Sequence, residues 1–437
     1  MRRLVERTLV EWKTAWRRKP LIVRGARQVG KTYSIESFGR DCFDDLLTVD
    51  LERNRGAHRA FGDNIAAENV LSELEVVTGT AITPGKTLLF IDEIQSCPRA
   101  IAALRYLYEE RPDLHVIAAG SLMELALDTF SFPVGRVQFL DMYPMTFPEY
   151  LWAVGNDPAA DTVLCKPKPV GQAAHNLLLD ELRKYCFVGG MPECVRAYSE
   201  TRSIQKAFDI QQDVCESYRE DFAKYAPRVD PHCLDAVLRD AAQHVGKQLK
   251  YARLAEGYDR RQIRKAFDTL CKARVIRRVP CANPPVMPLG TSASARRFKV
   301  IMVDVGLWQH LSGVRADIEY AKADLLDVYR GAMAEQYVGQ AIATSQESEL
   351  YYWARSARNS SAEVDYLAVI DGQVRPVEVK SGAPGRLKSI RMLLDTHPHC
   401  PGGLVFSWAP YAELPEKQLT FLPLYYAYSA TRRRTDP

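Results

Sequence analysis

Short, continuous apolar runs punctuate the first third of the chain, at Leu21–Arg24, Leu46–Asp50, Thr87–Asp92, His115–Ala119 and Val137–Leu140. Runs of this kind, without alternation and separated by helical patterns, predict strands buried on both faces of a parallel α/β sheet. An amphipathic stretch carrying Leu4, Leu9, Trp12 and Trp16 precedes them and stops at Pro20. From Phe147 to about Tyr225 the pattern turns helical, interrupted at Gly189-Gly190-Met191-Pro192, and predicts a helical lid or connector. Short helices then lead into an apolar run at Ala273–Val279, a turn with Pro284, Pro285 and Pro288, and a second run at Phe298–Val305. Helices followed by such a hairpin predict a winged helix. A new α/β pattern begins near Asp317, with a helix at Leu326–Ala343 and strands near Leu350–Trp353, Val364–Ile370 and Val374–Lys380. A helix at Leu387–Thr396 and a strand at Gly403–Trp408 follow. The expected organisation is 1–146, 147–229, 230–316 and 317–437, without internal repeats.

Composition narrows the class. A length of 437 residues with 47% hydrophobic and 26% charged positions fits several globular domains and excludes a disordered or fibrous chain. The longest uncharged apolar stretches fall far below the ~18 residues that would suggest a membrane span. Glu6, Glu11 and Lys13 interrupt the N-terminal region, which does not read as a secretory signal. The ten cysteines include no CxxC pair and read as reduced thiols, so a cytoplasmic protein that engages no membrane is expected. His397, His399 and Cys400 fall short of the about four ligands of a soft-metal site and read as a loop. Charge is informative locally: Lys247–Lys299 holds fourteen basic and three acidic residues, so it carries +11 in a chain of +4. A basic module of this density implies a polyanion partner, DNA above all, with Arg260, Arg261, Arg264 and Lys265 as candidate contacts.

Gly25-Ala26-Arg27-Gln28-Val29-Gly30-Lys31-Thr32 matches GxxxxGK[ST] in full, after a predicted strand and before a helix-permissive stretch. The glycines let the backbone wrap phosphate groups, and the following helix terminus favours negative charge. Lys31 is expected to reach the β and γ phosphates of ATP, and Thr32 to ligate Mg2+. Downstream, Leu88–Ile91 runs into Asp92, which can hold the Mg2+ through water, and Glu93, which can polarise the attacking water. Ser121 ends the next strand and reads either as a γ-phosphate sensor or as a helix cap for Leu122–Leu127. Arg136 reads as a sensor, a trans-acting arginine finger within a homo-oligomer, or a surface arginine.

A second constellation lies near the C-terminus. Alternation places Asp365 on one strand, and Glu378 with Lys380 on one face of the next, a D-x12-ExK pattern. Two carboxylates on paired strands can bind a divalent ion, while the lysine orients a water or stabilises a phosphorane. Glu335, on the preceding helix, can add a ligand. The alternative is an ordinary exposed strand face.

Taken in order, the P-loop, Phe90–Gln95, Ala118–Leu122, Val188–Glu193, Asp304–Leu307, Gly331–Glu335 and the Asp365/Glu378/Lys380 pattern resemble a group of bacterial and archaeal AAA-type ATPases. Their C-terminal domain of unknown function is similar to PD-(D/E)xK nucleases. The resemblance implies a P-loop AAA-type sheet, a helical lid, a winged helix and a restriction-endonuclease-like α/β domain. It carries Lys31, Thr32, Asp92 and Glu93 as the ATP site, and Glu335, Asp365, Glu378 and Lys380 as the nuclease-like site. Ser121 stands where many AAA-type proteins have asparagine. The expected function is therefore an ATP-hydrolysing, DNA-engaging protein whose C-terminal domain has the parts of a metal-dependent nuclease. The alternative is a nucleotide-controlled DNA-binding regulator or scaffold whose nuclease-like domain does not cleave.

Overall fold

A computed structural model describes the chain except for residues 122–132, 134, 226–228, 314–319, 321–326, 347, 358–359, 382–386 and 433–437. Leu122–Leu127, Leu326 and Gly382 thus lie outside the described residues. The chain divides into two compact units, Met1–Tyr143 with Lys272–Arg274, and Pro144–Cys271 with Val275–Pro437.

The first unit is built on five strands: β1 (Leu21–Arg24), β2 (Asp45–Asp50), β3 (Thr87–Asp92), β4 (His115–Gly120) and β5 (Gln138–Asp141). All pair in parallel, in the order β2-β3-β4-β1-β5. Every residue of β3 and β4 is buried, as unalternating apolar runs require. One core joins Leu47, Leu89, Ile91 and Val116 of the sheet to Val70, Leu74, Ile101 and Leu104 of the helices Ala67–Thr78 and Pro98–Glu110. The helix Lys31–Cys42 packs against β2, β3 and β4. The expected strands are all present, with ends shifted by one residue at β2, β4 and β5.

The second unit opens with the helices Phe147–Ala153, Asp157–Leu164, Gln172–Val188, Pro192–Thr201 and Ile204–Tyr225. Helices Pro231–Gln243 and Arg260–Lys272 follow, then the antiparallel hairpin β6 (Ile276–Ala282) and β7 (Ala293–Met302). This hairpin is continuous with the C-terminal strands. With β8 (Tyr351–Ala357), β9 (Ser360–Ile370), β10 (Gln373–Val379), β11 (Gly403–Ser407), β12 (Ala412–Leu414) and β13 (Leu419–Pro423) it forms one sheet, in the order β12-β13-β11-β10-β9-β8-β6-β7. The link is the parallel pairing of β6 with β8 at Cys281 and Tyr352. The helices Asp327–Gln346 and Lys388–Thr396 pack on β9 and β10.

One expectation is corrected here. The apolar run Phe298–Val305 does not continue as a strand past Met302, because Asp304 caps a helix at Val305–Leu311. Its Oδ1 accepts the backbone N–H groups of Gly306 and Leu307, at 3.0 and 3.1 Å, which satisfies donors that the helix leaves unpaired. Its Oδ2 accepts from the Gly190 N–H at 2.6 Å. A Cβ on Gly190 would lie 2.1 Å from the Met145 carbonyl oxygen, and one on Gly189 2.3 Å from Asp304 Oδ1. The Gly189-Gly190-Met191-Pro192 and Asp304–Leu307 segments therefore meet as a buried structural joint. Among the described residues no helix is long and apolar enough to cross a membrane.

Candidate functional site

The parallel register of the first unit brings three strand ends together. β1 pairs Arg24 with Gly120, so the loop from Gly25 and the segment at Ser121 leave the sheet side by side, while β3 delivers Asp92 and Glu93 from the strand next to β4. This is the carboxyl edge of an open α/β sheet, where such folds place their ligands.

The loop is shaped by close approach and by left-handed backbone. A Cβ on Gly25 would sit 2.2 Å from the Met142 carbonyl oxygen, so only glycine fits there. Gln28 and Gly30 adopt φ of 61° and 90°, turning the chain into the helix that starts at Lys31. Lys31 is buried, and its Nζ donates to the loop's own carbonyls, Gly25 at 3.1 Å and Ala26 at 2.8 Å. Burial pulls its pKa down to about 8 against the opposing pull of Glu93 and Asp92. An ammonium held this way lacks a full counter-charge, and phosphate oxygens would supply one. Arg27 lies 3.8 Å from the exposed Glu52.

Thr32 Oγ1 donates to Asp92 Oδ2 at 2.7 Å, placing a hydroxyl and a carboxylate together at the loop exit. These hard oxygen donors fit Mg2+, which together with the phosphates would be held by Thr32 and Asp92 and would neutralise charge building on the γ-phosphate. Glu93 follows with φ 48°, a conformation that costs a non-glycine residue energy and that concentrates at functional sites. Gln95 Nε2 donates to Glu93 Oε2, and burial raises the Glu93 pKa, which favours a carboxylate able to take a proton. Ser121 is buried, and its Oγ meets no hydrogen-bond partner among the described residues.

Two further arginines take definite places in this unit. Arg136 precedes β5 at the edge where β1 begins, since Leu21 pairs with Gln138, and it is ion-paired with Glu109 at 3.0 Å. The structure thus does not bring it to the loop within one chain, where a cis sensor would have to be. Arg3, missed by sequence reasoning, is buried; its Nη1 donates to the Val29 carbonyl at 3.0 Å and its Nη2 to the Tyr143 carbonyl at 2.8 Å. It fixes the phosphate loop from the chain's first residues, a contact 26 positions apart in sequence that no local pattern signals.

In the second unit, Arg260, Arg261, Arg264 and Lys265 are all exposed, while Ile263, Ala266, Phe267 and Leu270 of the same helix are buried. Other members of the basic segment face inward. Arg278 is ion-paired with Asp268, donates to Tyr251 Oη at 2.6 Å and lies over the Phe267 and Phe298 rings. Arg277 donates to the Ser348 carbonyl at 3.1 Å.

Lys299, also in that segment, is the centre of the carboxylate cluster. Its side chain is 1% exposed, and Nζ lies 2.8 Å from Glu335 Oε1, 2.6 Å from Glu363 Oε1 and 3.3 Å from Asp365 Oδ1. Asp365 Oδ2 accepts the Val379 N–H at 2.8 Å, and Glu363 Oε2 accepts from Gln248 at 2.6 Å. Glu378 pairs instead with Lys380 at 2.6 Å, and its Oε2 is buried without a partner among the described residues. Burial and Asp365 push the pKa of Glu335 up to about 8, against Lys299, and that of Glu378 up to about 7, against Lys380. Of the expected ligand set, Glu335 and Asp365 thus face the ammonium of Lys299, and Glu378 faces Lys380. Among the described residues no group of three or more histidine, cysteine, aspartate or glutamate side chains is placed to hold a metal ion. Glu363 and Lys299 were absent from the expected site, although the two-residue spacing from Glu363 to Asp365, and a lone charge between Phe298 and Val300, were signals in the sequence.

The strand order, the loop and the Thr32–Asp92 pair define an AAA-type nucleotide-binding domain. In agreement, residues 17–151 match the family described as "AAA domain". Residues 179–318 and 330–424 each match a domain of unknown function, DUF8612 and DUF4143 respectively. No curated protein matches the chain. Solved structures similar to it include the Aeropyrum pernix ORC1 protein in complex with DNA, at 11% identity over 71% of this chain and 90% of that one, TM-score 0.26. Two structures of Thermotoga maritima RuvB are also similar. One is a point variant, at 15% identity over 63% of this chain and 89% of that one; the other is described as a Holliday junction branch migration motor, at 14% over 62% and 86%. Both have a TM-score of 0.29, and at such scores the likeness adds nothing to what the strand order shows.

Proposed function

We propose that the chain is an ATP-hydrolysing protein that engages DNA. The observation that carries the first half is the Thr32–Asp92 contact beside Lys31 and Glu93, since a loop, a Mg2+ pair and a general base at one sheet edge suit hydrolysis as well as binding. DNA engagement is supported by the exposed basic face of the helix Arg260–Lys272, which with the helix Pro231–Gln243 and the β6–β7 hairpin we read as a winged helix. The helix Asp327–Gln346 with β8–β11 we read as a restriction-endonuclease-like module. In this reading ATP turnover gates DNA engagement.

Replacing Arg260, Arg261, Arg264 and Lys265 together by alanine tests the DNA half. If each contacts a phosphate, affinity falls for all sequences alike and the salt slope drops by roughly 3–4, at about 0.9 for each lost contact. Phosphate release measured with and without DNA tests the coupling. Unchanged DNA affinity at low salt in the four-fold variant overturns the assignment of this face. A second reading, a nucleotide-controlled DNA-binding regulator or scaffold whose nuclease-like module does not cleave, draws on the ammonium of Lys299 seated between Glu335 and Asp365.

A further inference from the structure

We propose that Lys299 is the resident cation of the C-terminal carboxylate cluster, and that the folded chain therefore takes no divalent metal there. The fold reading leads to the opposite expectation, because Asp365 and Glu378 on adjacent strands with Glu335 on the preceding helix are a hard-oxygen donor set.

The argument is one of occupied positions. A divalent ion bridging Glu335 and Asp365 must lie between Glu335 Oε1 and Asp365 Oδ1, and Lys299 Nζ is within hydrogen-bonding reach of both, at 2.8 and 3.3 Å. The third nearby carboxylate, Glu363, is drawn to the same ammonium at 2.6 Å. Of the cluster's other oxygens, Glu378 Oε2 is buried without a partner among the described residues, but a single free oxygen does not make a divalent site. Asp365 Oδ2 serves the Val379 N–H, Glu363 Oε2 serves Gln248, and Glu335 Oε2 lies against Gly246, where an added Cβ would be 2.7 Å away. Gly246 has φ of +80°, so that the close approach and the turn both need glycine.

Nor is Lys299 a mobile surface chain that an ion can displace cheaply. It stands on β7 between Phe298 and Val300, both fully buried, and is itself only 1% exposed. Taken from water, such a charge is tolerable only with several acceptors, and Glu335, Glu363 and Asp365 supply them from a helix and a second strand. The same contacts tie the hairpin to β9 and to the helix Asp327–Gln346, so one residue closes the metal position and joins the two parts of the sheet. This is independent of ATP hydrolysis and of DNA binding.

The test is iron-directed cleavage of the full chain without nucleotide: Fe2+ with peroxide and ascorbate generates hydroxyl radicals that cut the backbone near a bound ion. The wild type is expected to give no fragments ending near Asp365 or Glu378. Lys299→Met, which keeps the length of the side chain but removes the ammonium, is expected to gain both sets of fragments, and excess Mg2+ to suppress them. Lys299→Arg, which keeps the charge, should stay uncut. If Lys299→Met does not fold, the same gain is expected of Lys299→Met combined with Glu363→Gln, which removes one of the stranded charges but keeps Glu335, Asp365 and Glu378. Wild-type fragments at Asp365 and Glu378, or a folded ammonium-free variant that remains uncut, overturns the proposal.

Discussion

Replacing Lys31 by methionine should abolish nucleotide binding and yet stabilise the nucleotide-free protein. The ammonium is buried and its pKa is pulled from 10.5 to about 8. At ~1.4 kcal/mol for each tenfold change in proton affinity, keeping it charged at pH 7 costs the native state about 3 kcal/mol. Methionine removes that cost but leaves the Gly25 and Ala26 carbonyls without their donor, a loss of about 1 kcal/mol each. The net expectation is a gain of about 1 kcal/mol, a rise in melting temperature of roughly 2–4 °C for a unit of this size. The pH dependence has a definite sign. Between pH 8 and 10.5 the unfolded chain holds a proton on Lys31 that the native chain has released, so wild-type stability rises with pH through this window and the advantage of the variant disappears. Calorimetry of the full chain measures both arms, first without nucleotide at pH 7 and pH 9, then with saturating ATP and Mg2+. The wild type should be stabilised by ATP and the variant should not. A variant that melts clearly below the wild type without nucleotide, or that gains as much from ATP, refutes the reasoning.

Arg3→Ala should raise KM for ATP more than it lowers kcat, because it releases the Val29 carbonyl of the loop but touches no reacting group; a steady-state series in ATP separates the two effects. Asp304→Ala should destabilise the second unit by several kcal/mol, at about 1–3 kcal/mol for each of the three backbone N–H groups it orphans, and Asp304→Asn should recover part of this, as read by denaturant unfolding.

The phosphate site was legible because its chemistry is local. Gly25–Thr32 is one unbroken segment, and the Asp92-Glu93 pair ends an apolar strand that periodicity alone identifies. The parallel sheet was legible for the same reason, since β3 and β4 are apolar at nearly every position. What escaped depends on distant partners. Counting charge placed Lys299 and Arg278 in one basic module with Arg260 and Arg261, yet the first two are turned inward to acids and rings while the latter two are exposed. A count cannot distinguish a solvated cation from a buried one unless the flanking residues are read with it. Arg3 lies 26 positions from the carbonyl it holds, and the strand limits near Asp304 were missed because an N-cap aspartate after an apolar run prolongs the appearance of a strand. β12 and β13 were absent from the reading; β12 is only three residues long and lies at the sheet edge.

ATP hydrolysis by wild-type protein and by Glu93→Gln, measured in parallel with ATP binding, tests the central claim most directly. The wild type should bind and hydrolyse ATP, and the variant should bind it with similar affinity while hydrolysis falls by roughly 100-fold or more, the loss expected when a positioned general base is removed. Hydrolysis by Glu93→Gln at the wild-type rate, or failure of the wild type to bind ATP with Mg2+, would contradict the account.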